Sequence, residues 1–216
     1  MKNQPQYKIP LITKYFERIL AIGPHPDDIE LGCFGTLARF KKEGSQLEFL
    51  VLTYGGVRGS EGDRKKEAVQ SAGILGVKPI FGGLKDTNVL EGKPTIDIVE
   101  QAIKNFKPSA VIVNSPNDTH QDHRNGARAA ISACRFVPVV LFYQTPSSTR
   151  LFNPTVFVNI NEYLDEKIKA VKIHKSQGQN VYMADQAVKG LASFLGLQIY
   201  QGGEHFEGFE VHQMVF

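Results

Sequence analysis

The stretch Ile19-Leu20-Ala21-Ile22-Gly23-Pro24-His25-Pro26-Asp27-Asp28-Ile29-Glu30 decides the reading of this chain. Its first five residues form a short apolar run closed by Gly-Pro, the mark of a buried strand. The spacing then turns helical. Ile29, Cys33, Leu37 and Phe40 share one face of a helix from about Asp28 to Glu43, and Gly44 is placed to end it. At the joint between strand and helix, one histidine and two acids fall within four residues, His25 to Asp28. An α/β protein places its chemistry at such a joint, and a metal site is the first chemistry to test.

Outward from this joint, strand and helix patterns alternate. Leu47–Thr53 reads as a second strand, followed by a glycine-rich loop from Tyr54 to Gly62. Ser60 with Asp63 resembles a capping box for a helix through Leu75, which Gly76 ends. Pro79–Leu84 is a third strand. Ile96, Val99, Ile103 and Phe106 mark a helix that stops before Pro108. Ala110–Asn114 is a β-branched fourth strand, followed by a polar loop, Ser115 to Gln121, and a helix from about His123 to Arg135. Val137–Gln144 and Thr155–Ile160 read as further strands. Asn161 caps a long helix ending near Gln177, Asp185 caps another, and Gly208–Phe216 alternates as a closing strand.

This alternation predicts one α/β domain over residues 1–216, a Rossmann-like, doubly wound, mostly parallel sheet with helices on both faces. In the common doubly wound order, strands 1 and 4 lie side by side where the order reverses, and ligands bind beyond their carboxyl ends. The loop after strand 1 carries His25, Asp27 and Asp28, and the loop after strand 4 carries His120, Asp122 and His123. The two loops should face each other across one crevice.

The bulk properties fit a globular enzyme or binding protein. The 216 residues include 42% apolar and 22% charged residues, with a net charge of +3. That balance, without a long basic block, gives nucleic-acid binding little support. Cys33 and Cys134 lie far apart and outside any C-x-x-C pair, so they read as small buried hydrophobes in a reducing compartment. Met1 to Lys14 lacks the apolar core of a signal peptide, and no apolar run reaches spanning length. The expected location is the cytoplasm.

A catalytic zinc site needs three protein ligands from His and Asp/Glu and one open position. His25 and Asp28, three apart at a helix start, project to one side and supply two. A histidine of the second loop supplies the third. Asp27 must then point differently from Asp28 and is placed to act as general base. His120 and Asp122 would surround the metal ligands, a carboxylate fixing a histidine tautomer and a histidine steadying an oxyanion. Either cluster alone has a blander reading. Asp-Asp is a common N-cap and first-turn pair, and H-x-D-H suits a solvated loop. Together they hold half of the chain's six histidines on two loops that share a crevice, which favours the metal site.

Pro24-His25-Pro26-Asp27-Asp28-Ile29-Glu30, continuing through Leu31-Gly32-Cys33-Phe34-Gly35-Thr36-Leu37, resembles the signature of the PIG-L/LmbE-like zinc-dependent N-acetylglucosaminyl deacetylases. His120-Gln121-Asp122-His123-Arg124 resembles their second motif. Arg64-Lys65-Lys66-Glu67 and His174-Lys175-Ser176-Gln177 are supporting matches. The resemblance implies His25, Asp28 and His123 as metal ligands, Asp27 as general base, Asp122 as the carboxylate beside the third ligand, and His120 as oxyanion stabiliser. It implies Arg64 as a substrate-binding arginine, with Arg58 a rival. Zn2+ is the expected metal, Fe2+ or Co2+ the alternatives for the same donors. The partner is a small N-acetylated amino sugar or its conjugate, and the resemblance implies a homo-oligomer, trimer or hexamer. Phe34, where the motif often has glycine, should face the core.

The expected activity is hydrolysis of an N-acetyl amide. The alternatives are an amidase on another acyl amide or a thiol conjugate, and a non-catalytic sugar- or nucleotide-binding module. The absence of G-x-G-x-x-G after strand 1 weakens a dinucleotide version. Glu30 reads equally as a site residue or a first-turn acid, and the Tyr54–Gly62 loop as a cover or a connector. His174, His205 and His212 read as structural or solvated, and Arg150 as a surface arginine.

Overall fold

A computed structural model of the chain describes residues 14–216. The reading of the extreme N-terminus falls largely outside these residues. The elements run β1 (Arg18–Gly23), α1 (Asp28–Lys42), β2 (Gln46–Thr53), α2 (Glu61–Gly73), β3 (Ile80–Leu84), α3 (Lys93–Phe106), β4 (Ala110–Asn114), α4 (Gln121–Ala133), β5 (Val139–Tyr143), β6 (Val156–Asn159), α5 (Leu164–Ile173), α6 (Asp185–Gln198) and β7 (Phe206–Met214).

One seven-stranded sheet has the order β3-β2-β1-β4-β5-β7-β6. The first five strands in that order are parallel, and β7 runs antiparallel to both β5 and β6. Strands β1 and β4 are neighbours, Ile22 opposite Val113, so the order reverses where expected. The two-residue alternation of β1 sorts its side chains between two cores. Ile19 and Ala21 pack with Phe34 and Leu37 of α1, Ile168 of α5 and Val188 of α6. Leu20 and Ile22 pack with Val99 of α3 and Ala130 of α4. Phe34, Cys33 and Cys134 are buried and the cysteines free, as the sequence implies.

Two packing details fix α1 on the sheet. Gly32 lies so close to Tyr143 that a Cβ there would fall 2.0 Å from the ring, which makes glycine obligatory. Lys167 of α5 and Glu207 of β7, both buried, form an ion pair wedged against the same helix. Lys167 Nζ donates to the Leu31 carbonyl (2.7 Å), and Glu207 accepts from the Gly35 and Thr36 amides (3.0 and 2.7 Å). Leu31 C=O and Gly35 N–H are the two groups that a helix pairs with each other. Here a side chain meets each of them.

The helix expected from Asn161 to Gln177 is divided. Single turns at Asn161–Tyr163 and Lys175–Gln177 flank α5. The break falls at His174, with ψ at 60°, where the chain leaves the helix and the imidazole enters the interior to lie 3.4 Å from Glu30. Asp185 is the first residue of α6 rather than its cap, which is Ala184, and its carboxylate pairs with Lys172 at 2.7 Å.

Candidate active site

The β1–α1 joint is strained. Asp27 is the N-cap of α1 at φ 111°, ψ −24°, a left-handed conformation that Asp tolerates better than most residues, and its side chain makes no cap hydrogen bond. Its carbonyl starts the helix by accepting from Leu31 N–H (2.9 Å). The twist sends the adjacent carboxylates apart. Asp28 Oδ2 accepts from the His25 amide at 2.8 Å, and Asp27 Oδ1 faces Arg64 Nη2 at 3.2 Å.

Across the crevice, α4 begins conventionally. His120 is an extended N-cap whose Nδ1 accepts from Asp122 N–H (3.2 Å). The first turn then directs His123 inward, with its carbonyl held by Asn114 Nδ2 (2.9 Å) at the end of β4.

Three side chains from the two joints converge. His25 Nδ1 lies 3.2 Å from His123 Nε2 and 3.3 Å from Asp28 Oδ2, and His123 Nε2 lies 3.4 Å from Asp28 Oδ1. All three residues are buried, and their ligand atoms lie close enough together to hold one metal ion. Two imidazole nitrogens and a carboxylate oxygen suit a divalent first-row cation with an open coordination position.

The far nitrogen of each histidine is also held. His25 Nε2 lies 3.1 Å from Asp86 Oδ1 and 3.2 Å from Asp122 Oδ2. His123 Nδ1 lies 3.0 Å from Asp118 Oδ2, which in turn accepts from Thr145 Oγ1. A carboxylate on the outer nitrogen fixes the tautomer that offers the inner one to a metal. Asp122 therefore serves His25 across the crevice rather than its neighbour His123, and it is pinned by the Thr87 and Val89 amides (2.7 and 3.2 Å).

The electrostatics follow from this crowding. Burial works against charge on His25, but Asp122, Asp28 and Asp86 overcome it and hold its pKa well above the ordinary value. Burial opposes charge on His123 too, yet Asp28 and Asp118 raise its pKa to about 9. Burial would raise Asp28 and Asp118, but the facing histidines win, lowering Asp28 well below the usual carboxylate range and Asp118 to about 2. The hydrogen bond to His25 leads in lowering Asp86 to about 2. Asp27 goes the other way: burial lifts it to about 6 against the pull of Arg64. Burial and the neighbouring His25 and His123 lower His120.

The remaining sequence candidates fall into three places. Arg64 is buried inside the joint, donating to the Pro26 and Gly55 carbonyls and facing Asp27. Gly55, at φ 70°, makes room for it, because a Cβ would lie 2.6 Å from the guanidinium. Arg58 is exposed on the Tyr54–Gly62 loop, as is Arg150 after β5. The loop is tied to the site by Val57 N–H donating to Asp86 (2.9 Å). Glu30 and His174 form a buried pair with Ser71 behind α1. His205 bonds Asn161, and His212 lies against Phe142, both away from the centre.

Asp86 and Asp118 were not singled out from sequence. Each is a lone aspartate in a polar loop, but both loops follow a parallel strand and end on the rim where β1 and β4 end. That placement was the available signal.

Comparison with known proteins agrees with this geometry. The family described as PIG-L: GlcNAc-PI de-N-acetylase matches residues 20–134. An Escherichia coli protein named "Uncharacterized deacetylase YaiS" is 40% identical over 168 residues, 73% of this chain and 90% of its own. The chain belongs to the PIG-L family. A diacetylchitobiose deacetylase of Thermococcus kodakarensis is 28% identical over 187 residues, covering 74% of this chain and 70% of its own. The crystal structure of a conserved protein from Thermus thermophilus superposes with a TM-score of 0.80 at 29% identity, covering 93% of this chain and 96% of its own. The relatives support an enzyme hydrolysing N-acetyl amides of N-acetylglucosamine-type substrates. No helix among the described residues is long and apolar enough to cross a membrane.

Proposed function

We propose that this PIG-L protein is a metal-dependent N-deacetylase of an N-acetylglucosamine-type sugar or conjugate. The observation that carries the reading is the convergence of His25, Asp28 and His123 with Asp27, a buried carboxylate of raised pKa, on the same turn. A deacetylase of diacetylchitobiose among the relatives supports the substrate class.

His25 Nδ1, His123 Nε2 and Asp28 would hold the ion, with zinc the first choice and iron(II) or cobalt the alternatives. When bound, such a cation polarises an amide carbonyl and brings the pKa of water from ~15.7 toward about 7. The chain's own groups do the rest. Asp27, raised to about 6, accepts the proton of the attacking water and returns it to the amine as the C–N bond breaks, leaving acetate and the free amino sugar. Arg64 anchors Asp27 rather than reaching for substrate. His120 accepts at Nδ1 from Asp122 N–H, so its neutral ring carries its proton on Nε2 and donates there to the oxyanion of the tetrahedral intermediate. The loop that carries the exposed Arg58 is tied to Asp86, so Arg58 is the candidate cation for a sugar substituent. We place the enzyme in the cytoplasm, as a trimer or hexamer.

The test is acetate release from N-acetylglucosamine and diacetylchitobiose by zinc-loaded protein. The reading fails if neither substrate, nor the iron- or cobalt-loaded protein, yields acetate.

A further inference from the structure

Gly55 and Gly59 flank the short turn Gly56–Arg58, with φ at 70° and 153°. Glycines in such conformations have the most backbone freedom to lose, so the turn stays in place only if something holds it. Three side chains do. Arg64 Nη1 donates to the Gly55 carbonyl (3.2 Å), Val57 N–H donates to Asp86 Oδ2 (2.9 Å), and Gln177 Nε2 donates to the Arg58 carbonyl (2.8 Å). The backbone is pinned, while the Val57 and Arg58 side chains stay exposed. Exposed groups on a fixed support are what a binding surface needs.

Two of the three holders also serve the centre. Arg64 faces Asp27, and Asp86 holds His25. Gln177 reaches the loop from elsewhere. The helix α5 stops at His174, and the turn that follows, Lys175–Gln177, docks on α2 through Ser176, whose amide and hydroxyl donate to Glu67 (2.9 and 2.5 Å). This docking turns Gln177 toward the loop. Its side chain is buried, its Nε2 also meets the Ser176 carbonyl (3.1 Å), and its Oε1 accepts from Asn180 Nδ2 (3.4 Å). The amide is thus oriented from both ends. It also lies against the second glycine, because a Cβ on Gly59 would fall 3.7 Å from Nε2.

We infer that Gln177 is a positioning residue: by holding the Arg58 carbonyl it fixes where the Arg58 side chain meets substrate at the mouth of the crevice. The part given to Arg58 rests on the deacetylase reading. The hold of Gln177 on the loop does not.

The experiment uses the full zinc-loaded chain and Gln177→Met, which keeps the length of the side chain and removes its donor. Losing one buried hydrogen bond should raise KM for diacetylchitobiose about two- to tenfold. The kcat should hold, because ground state and transition state lose the same contact. Arg58→Ala should raise KM at least as much, and the double variant no further than Arg58→Ala alone. Trypsin, which cuts after arginine, reads the loop without turnover. Mass spectrometry of the fragments should show the Arg58–Gly59 bond cut up to about tenfold faster in Gln177→Met. If Gln177→Met loses its fold by circular dichroism, Gln177→Glu, which keeps the acceptor for Asn180, replaces it in every measurement. An unchanged KM in either single variant overturns the inference, as do KM effects that multiply in the double variant. So does a fall in kcat at unchanged KM, or an Arg58–Gly59 bond cut no faster than in the wild type. Faster cutting in Gln177→Met, with no acetate from any metal-loaded form, supports the hold on the loop and overturns the deacetylase reading.

Discussion

Two helix starts build the candidate site, and they are capped in opposite ways. At α4 the N-cap His120 has ordinary extended backbone and uses its side chain to accept from Asp122 N–H. At α1 the N-cap Asp27 is left-handed, and its carboxylate is turned away from the helix amides toward Arg64. Asp is among the best N-caps, and a carboxylate at a helix N-terminus gains from the dipole. Asp27 forgoes both. Left-handed non-glycine residues cost about 1–3 kcal/mol and persist where the surroundings hold them. Buried neighbours, Arg64 above all, hold this one, and the result is a carboxylate aimed into the crevice beside Asp28. One helix start keeps its side-chain cap, while the other gives up its cap and turns a carboxylate toward Arg64.

The largest test of this contrast removes what the two starts share. His123→Ala should bring metal content, by elemental analysis, to background, with acetate release following it. A chelator should do the same to the wild type, and added zinc, iron(II) or cobalt should reverse it.

Asp27→Asn comes next. Asparagine tolerates the left-handed backbone and keeps an oxygen toward Arg64, so melting temperature and metal content should hold. Without the base, kcat should fall by about 10²–10⁴. Unchanged kcat would remove Asp27 from its role. Asp118→Asn should weaken metal binding by about 10–100-fold in a competition titration, because His123 Nδ1 loses its anionic partner. Asp86→Asn should cost less, since Asp122 also holds His25 Nε2.

The smallest effect separates the two duties of His120. His120→Ala removes a cap and should lower stability to urea by about 0.5–2 kcal/mol, whereas His120→Asn restores the cap and the stability. Both should lack the oxyanion donor and share the same low kcat. A fully active His120→Asn would leave His120 as a cap only.

The sequence made the frame legible because the frame rests on local patterns. Ile19–Gly23 and Ala110–Asn114 are compact apolar runs closed by breakers, and the β1–β4 adjacency follows from the alternation. It also held the residues that converge, because His25, Asp28 and His123 sit in short dense motifs. What stayed hidden depends on long-range pairing. Asp86 reaches His25 only through the order of β3, β2 and β1, and nothing in Lys85-Asp86-Thr87 shows it. Lys167 stands among the charges of α5 with nothing local to set it apart, yet it is buried against Glu207, 40 residues later. The family resemblance implies Arg64 as a substrate contact, but Gly55 leaves room for its guanidinium to fold inward onto Asp27. His174 read as part of a continuous helix because spacing does not register a buried partner such as Glu30.

The Lys167–Glu207 wedge has a consequence for when the site comes into being. Leu31, Gly35 and Thr36 hand backbone groups to α5 and β7, the latter the final strand of the sheet. These contacts span more than 130 residues, and contacts that distant form late in folding because a long loop must close first. A nascent chain carries its first motif for most of synthesis, and both motifs until β7 is made, with α1 not yet braced. The helix that holds Asp28 is finished only when the end of the chain returns to it.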